Sequence, residues 1–82
     1  MSRLMRRFEV NNGWNFEKAI NLVKKGFSRR KFEAFSKKDG SYVFKFNLTD
    51  LEFLAVVALL QIEGLQVETS ADLLTASISS LA

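Results

Sequence analysis

Residues 41–48, Ser-Tyr-Val-Phe-Lys-Phe-Asn-Leu, alternate without a break, and the residues that follow open a helix. Tyr42, Phe44, Phe46 and Leu48 fall on one side; Ser41, Val43, Lys45 and Asn47 fall on the other. That is the period of a strand in a sheet covered on one face. Thr49-Asp50-Leu51-Glu52 then has the form of a capping box, with Thr49 as N-cap and Glu52 at N3. The helix it starts, residues 50–63, is apolar nearly all round and stops at Gly64.

The remaining elements follow from similar signals. Residues 3–10 read as a strand, with Leu4, Phe8 and Val10 on one face and Arg6 interrupting them. Asn11-Asn12-Gly13 is a turn, Trp14 a core or staple residue, and Asn15 the N-cap of a helix over residues 16–25. Its apolar set is Phe16, Ala19, Ile20, Val23 and Phe27; Lys24 and Lys25 suit the negative end of its dipole, and Gly26 ends it. Residues 31–37 form a hairpin with residues 41–48 through Lys38-Asp39-Gly40. Leu65, Val67 and Thr69 alternate as a short strand. Ser70 is expected to cap a last helix over residues 71–81, with Leu73, Leu74, Ile78 and Leu81 as its apolar residues.

The order strand, helix, strand, strand, helix, strand is the βαββαβ or ferredoxin-like arrangement. It predicts an α+β fold: a four-stranded antiparallel sheet with two helices on one face, the first and third strands central, and a C-terminal helix added. Residues 1–70 are expected to form the single domain, and residues 71–82 a helical segment packing on it or on a partner.

Chemistry is narrowly bounded. The chain of 82 residues has no His, Cys or Pro. The usual general base, the thiol nucleophile and the two commonest transition-metal ligands are therefore missing. No catalytic constellation, metal site, cofactor site or phosphate-binding loop can be assembled from what remains, which predicts a protein that is not an enzyme. No uncharged run is longer than that of residues 53–62, which is about half a membrane span. With no apolar segment behind the basic N-terminus, the expectation is a cytoplasmic protein with no membrane partner.

Charge is strongly polarised. Residues 1–48 hold twelve basic and four acidic residues, a net of +8; the rest holds five acidic residues and no basic one, −5, which recovers the overall +3. Such asymmetry suits an acidic partner or head-to-tail association. Arg3, Arg6, Arg7, Lys24, Lys25, Arg29, Arg30 and Lys31 are the candidate contacts to nucleic acid or to an acidic protein. The stretch D-G-S-Y-V-F-K-F is similar to the aromatic ribonucleoprotein motif, but alternation turns Tyr42, Phe44 and Phe46 toward the core, so the open face lacks the stacking aromatics of an RNA-recognition domain.

The second helix offers the other candidate. A helix covering a sheet needs one apolar stripe. If Leu51, Leu54, Ala55, Ala58 and Ile62 face the sheet, then Phe53, Val56, Val57 and Leu60 are left outside. Leu73, Leu74 and Ile78 either cover them or join them in a partner-binding surface. The sequence thus predicts a small binding or regulatory protein acting through protein association, as a homodimer or on a target. Its size suits a regulator or inhibitor of the kind phages and mobile elements encode. Nucleic-acid binding through the basic half is the alternative. Small-molecule sensing between subunits is compatible with the fold and has no residue signature.

Overall fold

The computed structural model describes residues 3–11, 16–27 and 29–80. Its elements are β1 (Leu4–Val10), α1 (Phe16–Phe27), β2 (Phe32–Ser36), β3 (Tyr42–Leu48), α2 (Asp50–Ile62), β4 (Leu65–Thr69) and β5 (Thr75–Ser80). The strands form one five-stranded sheet in the order β2-β3-β1-β5-β4. The β1–β3, β2–β3 and β4–β5 pairs are antiparallel, and β1–β5 is parallel.

The fold is α+β, but not the four-stranded antiparallel ferredoxin-like sheet. The first three strands and the two helices follow the expected order, with β1 and β3 interior and β2 and β4 at the edges. The difference is β5. The segment expected as a C-terminal helix is a strand that inserts between β4 and β1. Its register explains why: Ala76 and Ile78 lie on the same face as Phe8 and Val10, their partners in β1, while Ser77 and Ser79 lie on the other. That is period two, and Thr75 and Ile78 are β-branched, which favours a strand.

A tight polar turn reverses the chain before β5. Ser70 Oγ donates to Asp72 Oδ1 at 2.6 Å, and the N–H groups of Leu74 and Thr75 donate to Asp72 Oδ1 and Ser70 Oγ. Ser70 therefore closes a hairpin rather than capping a helix. Leu73 takes the left-handed conformation, φ 60°, in this turn.

Both helices cover one face of the sheet. The core there combines Phe8 and Val10, Ile20 and Val23, Phe44, Phe46 and Leu48, Phe53, Val56, Val57 and Leu60, Leu65, Ala76 and Ile78. Its centre is aromatic. Phe8 and Phe44 stack with centroids 5.0 Å apart, and Phe53 of α2 tilts against Phe8 at 5.4 Å. Of the α1 set, Ile20 and Val23 are buried and Phe27 partly so; the helix runs through Gly26 to Phe27 rather than ending at Gly26. Asn12, Gly13, Trp14, Asn15 and Leu81 lie outside the described residues, as do the side chains of Phe16 and Ala19.

The capping box forms as the sequence indicates. Glu52 N–H donates to Thr49 Oγ1 at 3.2 Å, and Thr49 N–H donates to Glu52 Oε1 at 2.9 Å. The phase of α2 is the reverse of the expectation. Phe53, Val56, Val57 and Leu60 are buried against the sheet, and Leu51, Leu54, Ala55, Ala58 and Ile62 face outward. The inward set carries Phe and two Val where the outward set has two Ala, so this phase fills more of the space between helix and sheet.

Arg6, expected as a contact to nucleic acid or an acidic partner, lies inside the fold. It sits on the helix-covered face of β1, fully buried. Its Nε donates to Leu48 O at 3.0 Å and its NH1 to Leu73 O at 3.0 Å, while NH2 pairs with Asp50 Oδ1 at 2.7 Å. Its guanidinium also lies 5.9 Å from the Phe53 ring centroid. It is a structural tie, with no face free for a partner.

Arg6→Met is expected to lower stability by roughly 2–4 kcal/mol in chemical denaturation, because the buried Leu48 carbonyl and the partly buried Leu73 carbonyl lose their donor. Leu60→Asp should abolish cooperative unfolding altogether, since it puts an unpaired charge in the core. Ile62→Asp should unfold within about 0.5 kcal/mol of wild type, as expected of a surface site.

Candidate interaction surface

Three surfaces on this frame could meet another molecule: the outer side of α2, one end of the sheet, and the uncovered sheet face. Four of the six exposed large apolar side chains among the described residues belong to α2: Leu51 at 63%, Leu54 at 44%, Leu59 at 47% and Ile62 at 79%. Ala55 and Ala58 lie exposed between them. At about 100° per residue these six cover a stripe roughly 140° wide, centred opposite the buried set. Helix α2 therefore has two apolar faces, and only one is used by the fold. The residues expected at this surface are elsewhere: Phe53, Val56, Val57, Leu60 and Ile78 are core, and Leu73 and Leu74 are partly buried in the β4–β5 turn. The outward set was visible in the sequence at helical spacing; what the sequence lacked was the phase.

The acids that flank the stripe are all engaged. Asp50 pairs with Arg6 at 2.7 Å, Glu52 with Arg30 at 2.7 Å, and Glu63 with Lys18 at 3.9 Å. The Arg30–Glu52 pair is bidentate, with both guanidinium NH groups on the two carboxylate oxygens at 2.8 and 2.7 Å. That pairing, with the Thr49 N–H as second donor, holds the Glu52 carboxyl down to about 2.

The second surface is basic. The start of β1, the end of α1 and the start of β2 meet at one end of the sheet, where Asn47 N–H donates to Lys31 O. Arg3, Lys24, Lys25, Arg29 and Lys31 are exposed there, with the Lys24 ammonium 4.3 Å from the Phe32 ring centroid. Among the described residues, none of these five takes part in an ion pair. Arg6 and Arg30 do not join them, because each is tied to α2. Arg7 points to the other side of the sheet, 2.8 Å from Glu9, which also meets Lys37 at 3.5 Å. The basic candidates therefore divide: five free, two structural, and one neutralised.

The uncovered face carries Met5, Arg7 and Glu9, Glu33 and Phe35, Val43, Lys45 and Asn47, Gln66 and Glu68 of β4, and Ser77 and Ser79 of β5. Its charges alternate in sign. Lys45 sits 5.7 Å from the Phe35 ring centroid, and Val43 is buried beneath this layer. It presents a solvated polar surface. Among the described residues no cluster of His, Cys, Asp or Glu could hold a metal ion, and no helix is long and apolar enough to cross a membrane.

Comparison with protein-family models, with curated proteins and with solved structures finds no match to this chain.

The Arg30–Glu52 geometry sets a pH dependence. Because the folded-state value lies below the ordinary 4.5, the pair stabilises the fold above that value, and its contribution is lost as pH falls from about 4.5 to about 2. Thermal melts of wild type and Glu52→Gln should differ most near neutrality and converge at about pH 2. A constant difference across that range would place the stabilisation elsewhere.

Proposed function

We propose that this protein is a small, non-enzymatic binding protein that works by protein association, with the outer face of α2 as its working surface. The supporting observation is the six-residue apolar stripe of Leu51, Leu54, Ala55, Ala58, Leu59 and Ile62, left uncovered by its own sheet. A soluble monomer gains nothing in stability from a second apolar helix face and incurs an aggregation risk from it. The same area removed from water on binding contributes favourably at about 25 cal/mol per Å² before the cost of association. The basic end of the sheet would steer an acidic surface and affect on-rate more than affinity.

A photo-crosslinking residue at position 59 or 62, introduced in the source cells, should give discrete protein adducts that persist in high salt. The same residue at position 45, on the open sheet face, should not. Equal adduct formation from both faces would remove the support for α2 as the working surface.

A second reading rests on a separate observation, the five exposed bases at one end of the sheet. Nucleic-acid binding there would use Arg3, Lys24, Lys25, Arg29 and Lys31, without Arg6, Arg7 or Arg30. Changing Lys25, Arg29 and Lys31 together to Ala should reduce the slope of log K against log salt by about 2–3 on duplex DNA. Undetectable binding of either duplex or single strands by the wild type at low salt would eliminate this reading.

A further inference from the structure

We infer that the occupant of the outer α2 face is a second copy of this chain, packed antiparallel across a two-fold axis. This rests on the association reading above and names its partner. The argument begins with spacing. The exposed apolar positions are 51, 54, 55, 58, 59 and 62, and their gaps of three, one, three, one and three read the same in both directions. The residue types nearly do as well: Leu, Leu, Ala, Ala, Leu, Ile. A stripe symmetric about its own midpoint is complementary to itself when one helix is reversed, which is the requirement of an isologous interface.

The geometry is specific. Leu51, Ala55, Ala58 and Ile62 are spaced four, three and four, the seam of a coiled coil. Reversing one copy sets Leu51 beside the copy's Ile62 at each end and Ala55 beside the copy's Ala58 in the middle. The alanines allow a close approach at the centre, and the larger side chains fill the ends. Leu54 and its copy close one edge of the seam, and Leu59 and its copy close the other. A parallel pair would instead set Leu51 against Leu51 and Ile62 against Ile62.

Charge and area agree with this arrangement. Helix α2 and its C-cap hold three acids and no base, which would repel a like helix if they were free. All three are ion-paired within the chain, to Arg6, Arg30 and Lys18. The stripe exposes on the order of 500 Å². A pair would therefore remove on the order of 1,000 Å² from water, the lower bound for a specific interface. This predicts a weak, salt-insensitive dimer.

The test uses the full chain and its lack of cysteine. Sedimentation equilibrium across a concentration series should show conversion from the 9.3 kDa chain to twice that mass, at low and high salt alike. Ala58→Glu, at the centre of the seam, should shift the midpoint at least tenfold to higher concentration with an unchanged circular dichroism spectrum; Lys45→Glu should not shift it.

Leu51→Cys mixed with a tagged Ile62→Cys should oxidise to a linked pair. Leu51→Cys alone should not, because two copies of residue 51 lie about 16 Å apart along antiparallel axes. Linkage of Leu51→Cys to itself overturns the antiparallel arrangement. A wild-type mass that stays at 9.3 kDa up to about 1 mM overturns self-association. In that case, α2-specific adducts in the photo-crosslinking experiment would leave the binding reading standing with a foreign partner. Their absence would end both.

Discussion

Arg6 of β1 joins three separated parts of this chain at one point: its own strand, the junction of β3 with α2, and the turn between β4 and β5. Its guanidinium binds the last carbonyl of β3, the first residue of α2 and the turn between β4 and β5, and it lies near the Phe53 ring. A lysine could not do this, because the task needs several donors in a fixed plane. The cost of burying the charge is reduced by pairing it with a carboxylate that is itself more than half exposed to water. The tie also fixes positions. It holds the N-terminus of α2 over the β1–β3 pair, and with it the phase that sends Phe53 inward and Leu51 outward. The apolar outer face of α2 is in part a consequence of where Arg6 points.

Helix α2 starts directly from β3 and carries apolar residues on two opposed faces. The fold uses the bulkier one. Phe53, Val56, Val57 and Leu60 pack on the aromatic centre of the sheet, while the face with alanines at its middle is left outside. Small residues bury little surface on a sheet but allow close approach of another helix. The division of α2 into a bulky inner face and a thin, symmetric outer face is what distinguishes it from an ordinary covering helix. The +8 half of the chain is correspondingly less available than its count implies. Arg6 and Arg30 are spent on the start of α2, Arg7 on Glu9, and five bases remain free at one end.

Much of the local structure was legible in the sequence because its signals are local. The period-two run of β3, the Asp-Gly hairpin, the capping box and the amphipathic α1 set each depend on residues a few positions apart. The C-terminal strand was not legible in that way. Leu73, Leu74 and Ile78 suggest a helix on apolar count; the alternation of Ala76 and Ile78 with Ser77 and Ser79 is too short to outweigh it until pairing with β1 and β4 adds to it. Both sets of α2 residues were recognised and their roles exchanged, because periodicity gives the faces of a helix but not its rotation. The binding role given to Arg6 failed for a related reason: an arginine on the apolar side of a strand looks like an interruption until its three acceptors arrive from elsewhere in the chain.

The sequence by itself determined the alternation of β1 and β3, the positions of the two helices α1 and α2, and that the usual His and Cys chemistry is absent. Side-chain type and short-range spacing are enough for those conclusions. Only the tertiary structure decided that the sheet has five strands, that Arg6 and Arg30 are internal ties, and that Leu51, Leu54, Leu59 and Ile62 face outward. Each of those depends on contacts between residues far apart in the chain, where the competing arrangements satisfy the same local preferences and differ only in how well the whole core is filled.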